Sequence, residues 1–414
     1  MSPQAAFRLI LALFFLWGFL TCLNDILLPY SKFIFGLSYE GATAMPVAFF
    51  STCFVFAPLA AKLISRLGYT RTMAVALLIM SAGALCFLAA AAVREFWCFL
   101  AAIIVLGAGI TILQVAAAPY VSFLGPPERS PSRFSLALGF NSLGTMIAPL
   151  FGSWLILRGQ SLGGAGAALT GTALAAARLR AFDQIRSPYF FLAISLAALS
   201  AAVSLSHLPR MTVTARLANT IKGMGMVLRH KPLIFGAITG FLYCGAEIGI
   251  GSLLINYLGL PDVGALAPHS AALLVSFYWG SATLGRFVGW RMLRKYRVET
   301  VLALCGVSAT ALLTVSVLSS GYIAIVSVLA IGLCNAMIVP VVVMLSISGL
   351  GEKAAKASSV MTAANIGGGL MPLAMGALAD RIGLHYAFLL PVVSYLCVVF
   401  YALYGASSRN LKLV

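Results

Sequence analysis

Apolar runs of roughly 20 residues recur from one end of this 414-residue chain to the other, and that supply of membrane-length segments restricts its fold more than any motif. A helix of about that length crosses a ~30 Å hydrocarbon core, where each backbone N–H and C=O must find its partner within the segment. With 61% hydrophobic and 9% charged residues, the chain has too little polar surface to cover itself in water. Lipid is therefore the expected solvent, and the fold class is an all-α membrane protein. Twelve spans are predicted, near 7–31, 44–65, 72–93, 96–124, 134–157, 188–207, 232–258, 269–290, 299–318, 321–349, 356–379 and 385–405. The first run exceeds a secretory leader core and lacks a small-residue cleavage site, so it is expected to stay as the first span.

The formal charge of +17 invites a nucleic-acid reading, which its distribution opposes. With a cytoplasmic N-terminus, all but seven of the 27 basic residues fall in cytoplasmic loops and termini. The exceptions are Lys32, Arg94, Arg158, Arg178, Arg180, Arg186 and Arg381. This asymmetry is the positive-inside pattern, and it places both termini in the cytoplasm. No nucleic-acid partner is expected. The eight cysteines lie in or beside apolar spans without metal-ligand spacing, so they read as packing residues with free thiols, and no metal site is expected.

A basic stretch, His207 to Lys231, has six spans on either side of it. It divides the chain into an N-terminal half, 1–208, a cytoplasmic linker, 209–231, and a C-terminal half, 232–414. An Ala/Gly-rich segment from Arg158 to Ser187 is expected to form a surface helix on the outer face. The halves share an octapeptide. Gly18–Asp25 reads GFLTCLND and Gly240–Glu247 reads GFLYCGAE, five of eight positions matching when the closing acids are counted as equivalent, at a constant offset of 222. Internal duplication with a substrate site between two six-helix halves is a secondary-transporter architecture.

Of ten acids, Asp25 and Glu247 alone are expected deep within spans, where a charge costs about 2.5–3.5 kcal/mol on insertion scales. An acid kept there faces an aqueous cavity, a partner or a proton. Five amides, Asn24, Gln114, Asn141, Asn335 and Asn365, also interrupt apolar runs. Thr239, Tyr243, Glu247 and Gly251 follow one stripe of the seventh span at four-residue spacing. Carboxylates and carboxamides can engage adjacent hydroxyls together, and Tyr243, Tyr278 or Trp279 can cover the apolar face of a sugar ring. No Lys or Arg is expected at comparable depth, with Arg286 the deepest, which disfavours anionic cargo.

The motifs then become specific. FFLWGFLTCLNDILLPY (Phe14 to Tyr30), ILQVAAAPYVSFLG (Ile112 to Gly125), FNSLGTMIAPLFG (Phe140 to Gly152), GAEIGIGSLLINYL (Gly245 to Leu258), GLCNAMIVP (Gly332 to Pro340) and IGGGLMPLAMGALADRIG (Ile366 to Gly383) run in order through both halves. Together they resemble the fucose:proton symporter family of the major facilitator superfamily, above all its glucose/galactose transporter branch. The resemblance implies that Asp25 occupies the position of the family's coupling aspartate. A glutamate tied to substrate recognition and protonation is replaced by Gln114, and the Asn before the fourth-span proline by Ala118. Gln114 with Glu247 resembles the glucose/galactose pattern, so hexose is favoured over fucose. The superfamily loop motif G-x-L-x-D-R-x-G is degraded at 61–68 and well kept at Gly376–Gly383.

The expectation is a cation-coupled hexose symporter of a bacterial inner membrane, working by alternating access as a monomer in lipid. The ion is a proton, with sodium the alternative, and no cofactor is needed. Asp25 and Glu247 would couple the cation; Asn24, Gln114, Asn141, Tyr243, Glu247, Trp279, Asn335 and Asn365 would bind sugar. An exporter of amphipathic or cationic compounds on the same fold is the second reading. A membrane enzyme is disfavoured, because His207, His230, His269 and His385 fall at helix ends or in loops and no hydrolase motif accompanies them.

Overall fold

A computed structural model describes residues 3–124, 130–155, 171–206, 230–347, 350, 357, 360–361 and 363–405. The expected linker, 209–231, lies outside the described residues up to 229, as do 156–170 of the outer segment.

The described chain is helical. In order come α1 (Pro3–Phe35), α2 (Tyr39–Val93), α3 (Phe96–Phe123), α4 (Ser130–Leu155), α5 (Gly171–Gln184), α6 (Arg186–Leu205), α7 (Lys231–Leu258), α8 (Pro268–Lys295), α9 (Val298–Leu318) and α10 (Gly321–Ile347). A 3₁₀ turn, Ala364–Ile366, leads into α11 (Gly367–Ile382), followed by α12 (Leu384–Ala387) and α13 (Leu390–Phe400). Nine segments among the described residues are long and apolar enough to cross a membrane. Because α2 holds two spans, and α8 and the 16-residue α11 fall below the length or hydropathy of the rest, the expected twelve crossings are accounted for. Trp97 and Tyr322, 74% and 79% exposed, open α3 and α10, where amphipathic rings suit the headgroup level.

Two details differ from the sequence expectation. The second and third spans are not separated by a loop: α2 runs through both, broken at Gly68, whose φ of 76° and ψ of 170° interrupt the helix within one residue. The last span keeps its expected extent, Leu384–Tyr404, but its helix carries a turn near its start. The chain turns at Phe388 and Leu389, and Pro391, which lacks an N–H to donate, sits in the first turn of α13. A helix is present in the described part of the expected surface segment, as α5. It is fastened to α1, with the Tyr30 hydroxyl donating to the Ala181 carbonyl and the Phe182 ring 5.3 Å from that of Phe35.

The chain forms two compact units. The first comprises Met1–Leu37, Ala44–Ala215 and Ala267–Ser276; the second comprises Ser38–Thr43, Arg216–Leu266 and Phe277–Val414. Each has the same tight pair inside it. In the first unit α1 packs on α4, and a Cβ added at Gly144 would lie 2.2 Å from the Phe15 carbonyl oxygen. In the second, α7 packs on α11, and a Cβ at Gly367 would lie 2.0 Å from the Phe241 carbonyl oxygen. The repeat read from the octapeptide thus recurs as helix pairing: the helix carrying each copy meets its neighbour backbone to backbone. Gly144→Ala is expected to cost about 1–3 kcal/mol of stability by overpacking a contact made with backbone, seen as a lower unfolding temperature in detergent.

The well-kept motif at Gly376–Gly383 has a structural use. The Asp380 carboxylate accepts from the backbone N–H groups of Tyr39 and Glu40, each at 2.8 Å, capping the first turn of α2 within the second unit.

Candidate functional site

In the first unit the expected residues lie on α1, α3 and α4. Asp25 is only 6% exposed inside α1, and the Cys22 thiol one turn earlier donates to its Oδ2 at 3.6 Å. Asn24 turns its Nδ2 toward its own helix, at 3.3 Å from the Leu20 carbonyl and 3.4 Å from that of Thr21, which leaves Oδ1 buried without a partner. The Asn141 Nδ2 donates to the Phe14 carbonyl at 3.1 Å, so one end of this amide fastens α4 to α1. Gln114, half-buried on α3, has no side-chain hydrogen bond among the described residues.

The second unit gathers its residues more closely. Asn335 on α10 is 3% exposed and sits at the centre of a ring of phenols. Its Nδ2 donates to the Tyr278 hydroxyl at 2.9 Å, its Oδ1 accepts from Tyr395 at 2.9 Å, and its main-chain oxygen accepts from Tyr243 at 2.9 Å. Tyr278 reaches on to the main-chain oxygen of Glu247 at 3.4 Å. The half-buried Glu247 carboxyl stands one turn further along α7 from Tyr243. Five residues from four helices are therefore locked together, and Asn335 has both ends of its amide committed to protein. Trp279 is half-buried beside Tyr278, with ring centroids 5.3 Å apart and its Nε1 buried without a partner.

Asn365 is not part of this ring. It lies in the 3₁₀ turn before α11 with an exposed side chain, and its carbonyl accepts from the Cys244 thiol at 3.7 Å. Arg286, the deepest cation expected, is exposed on α8. His385 is structural, its Nε2 2.6 Å from the Val317 carbonyl oxygen. The residue that sequence reasoning missed is Tyr395. Nothing in LPVVSYLCVVF distinguishes a phenol aimed at a buried amide from one packed among aliphatic side chains.

Such a set can do definite chemistry. Gln114, Trp279 Nε1 and Asn24 Oδ1 offer donors and acceptors that have no hydrogen-bond partner among the described residues, while Asp25 and Glu247 supply two ionisable groups inside apolar helices. Among the described residues no group of His, Cys, Asp and Glu is arranged to hold a metal ion.

Comparison with known proteins finds relatives along nearly the whole chain. The chain is 40% identical over 396 residues to a glucose/galactose transporter of Brucella abortus, covering 96% of this chain and 93% of the relative. It is 27% identical over 418 residues to the L-fucose-proton symporter of Escherichia coli, covering 98% and 94%. The crystal structure of the transporter FucP in the outward conformation matches with a TM-score of 0.71 and 26% identity, over 99% of this chain and all of that one. The family model described as Major Facilitator Superfamily matches residues 9–365, and the chain belongs to that family of integral membrane transporters.

Proposed function

We propose that this protein is a hexose symporter, taking glucose or galactose across a bacterial inner membrane by alternating access, with both termini cytoplasmic and a proton as the coupled ion. The observation that carries the reading is the near full-length relationship to a glucose/galactose transporter, at 40% identity. The site chemistry supports it. Neutral amides and an indole N–H with unused hydrogen-bonding capacity suit a polyhydroxylated, uncharged ring, whereas an anionic cargo would want a buried cation. Asp25 carries the coupling, Gln114, Asn141 and Glu247 engage hydroxyls, and Trp279 covers the apolar face of the sugar. Asn24 and Asn365 add polar groups at the margin. Sodium is the alternative ion, because a carboxylate with nearby amide oxygens also suits a hard cation. The protein acts as a monomer in lipid and needs no cofactor.

The test is counterflow of labelled glucose in proteoliposomes with a panel of competing sugars, varying pH and sodium separately. Stimulation by an inward proton gradient in sodium-free buffer, with competition by galactose, is the expected result. Protection by amphipathic cations and not by sugars would instead indicate an exporter.

Truncating Gln114 or Asn141 to Ala is expected to weaken hexose binding by about 1–3 kcal/mol, the scale of leaving a hydroxyl or its partner unpaired. That is about 5- to 150-fold in Kd, read by titration with sugar. Gln114→Ala should leave unfolding unchanged, whereas Asn141→Ala should also lower stability, since its amide ties α4 to α1.

A further inference from the structure

Five of the seven basic residues that break the charge asymmetry gather at one end of the first unit. Lys32 stands in the last turn of α1, Arg94 in the turn between α2 and α3, Arg178 and Arg180 on α5, and Arg186 at the start of α6. A layer of rings brings these helix ends to one level. Phe35, which closes α1, lies 5.5 Å from Phe96 and 5.7 Å from Phe99 of α3, and 5.3 Å from Phe182 of α5. The Arg178 guanidinium lies over the same end of α1, since a Cβ added at Gly36 would be 2.9 Å from its Nη2. Gly36 leaves the helix with a φ of 63°, and a cation at a helix C-terminus is favoured by the macrodipole. Arg178 therefore has a structural use already. Arg94, Arg180 and Arg186 are exposed, with Arg180 folded along α5, its Nε 3.4 Å from the Ala176 carbonyl oxygen.

The charge at this end is not balanced by the protein. The described acids of the first unit are Asp25, buried within α1, Glu95 and Asp183, and Asp183 pairs with Arg186 at 3.3 Å. Basic residues away from the cytoplasmic loops are disfavoured, so five placed together call for a counter-charge that two exposed acids do not supply in full. Apolar neighbours narrow the kind of anion. Leu179 is exposed between Arg178 and Arg180, Phe190 is exposed one turn beyond Arg186, and Trp97 is exposed three residues after Arg94. Basic groups beside uncovered apolar side chains are the pattern of an interfacial helix, with headgroups at one level and acyl chains below it. An inorganic anion would satisfy the arginines and leave those apolar side chains in water.

We propose that this end of the first unit binds an anionic phospholipid, with Arg94, Arg180 and Arg186 taking the headgroup phosphate and Leu179, Phe190 and Trp97 meeting the start of the acyl chains. The leaflet, the outer one, rests on the cytoplasmic termini proposed above; the contact itself does not. Because α5 rests on α1 through Tyr30 and Phe182, the bound headgroup steadies the surface helix against the helix that carries Asp25.

The experiment reads the contact at its own site. The full chain is reconstituted in phosphatidylcholine vesicles containing a limiting amount of phosphatidylglycerol with a photoactivatable headgroup, illuminated, and digested for peptide mass spectrometry. Adducts are expected within 171–186 whichever way the protein is oriented. Arg180→Gln and Arg186→Gln should each lower their yield about fivefold, the attraction of one basic residue at an anionic surface. Arg180→Lys should keep the labelling within about twofold of the parent, because the charge is retained. Removing two charges elsewhere, with Arg291→Gln and Lys295→Gln, should leave it unaltered. Equal labelling by a photoactivatable phosphatidylcholine would reduce the contact to ordinary surrounding lipid and overturn the proposal. Loss of the adduct in inorganic phosphate, but not in chloride of equal ionic strength, would mark a free-anion site and overturn it too. The parent alone supplies a check that needs no variant to assemble: labelling within 171–186 should fall as salt rises, and a yield indifferent to salt would rule out recognition by charge.

Discussion

An Asp25→Asn variant is expected to exchange labelled glucose across the membrane while accumulating none against a gradient. Asp25 is 6% exposed within α1, and the thiol of Cys22 reaches its carboxylate. Replacement by Asn keeps the size and one acceptor oxygen but removes the group that can gain and lose a proton. Exchange requires only that the loaded carrier move, and a neutral amide mimics the protonated, loaded state. Uphill transport needs in addition that the empty carrier return without its ion, and a side chain that never ionises cannot distinguish the two facings of the cycle. Accumulation should fall to the level set by equilibration, with counterflow retained, both measured on one preparation. Retained accumulation would move the coupling role to Glu247, and loss of both activities would make Asp25 a binding or structural residue.

Glu247→Gln is expected to weaken hexose binding far more than it weakens the fold. A carboxylate accepting from a sugar hydroxyl contributes about 1.5–3 kcal/mol, more than a neutral amide in its place, so Kd should rise by about 10- to 150-fold. Folding has less to lose. The ring that ties α7 to its neighbours uses the Glu247 main-chain oxygen and the Asn335 amide, both of which survive the substitution. Sugar titration and thermal unfolding of the same protein decide the matter. An unfolding temperature that drops in step with affinity would reassign Glu247 from ligand contact to scaffold.

These predictions draw on two kinds of information. The spans were legible because crossing a hydrocarbon core demands length and apolarity, both of which are local, and the match of α3 and α7 to 96–124 and 232–258 follows from that. The internal repeat was legible from eight residues because duplicated helices keep their packing surfaces; α1 on α4 and α7 on α11 are the outcome. Asp25 and Glu247 could be chosen for a related reason, since an acid within an apolar run has few inexpensive explanations.

The fate of each amide was not legible. Asn335 and Gln114 look alike in sequence, single carboxamides in apolar helices, yet one is held at both ends by Tyr278 and Tyr395 and the other has no side-chain hydrogen bond among the described residues. The partners of Asn335 stand on α7, α8 and α13, 57 to 92 residues away along the chain, and no window of sequence contains them. The break at Gly68 and the turn near the start of the last span were hidden similarly, because a glycine in an apolar chain marks close packing as often as a turn. By itself the sequence determined where the membrane-length segments fall, that the chain was built twice, and which two acids interrupt apolar runs, for these follow from solvation and composition. Only the tertiary structure decided which polar side chains hold the helices together and which do not, because a hydrogen bond is satisfied by whatever folding brings within about 3 Å of it, however distant in the chain.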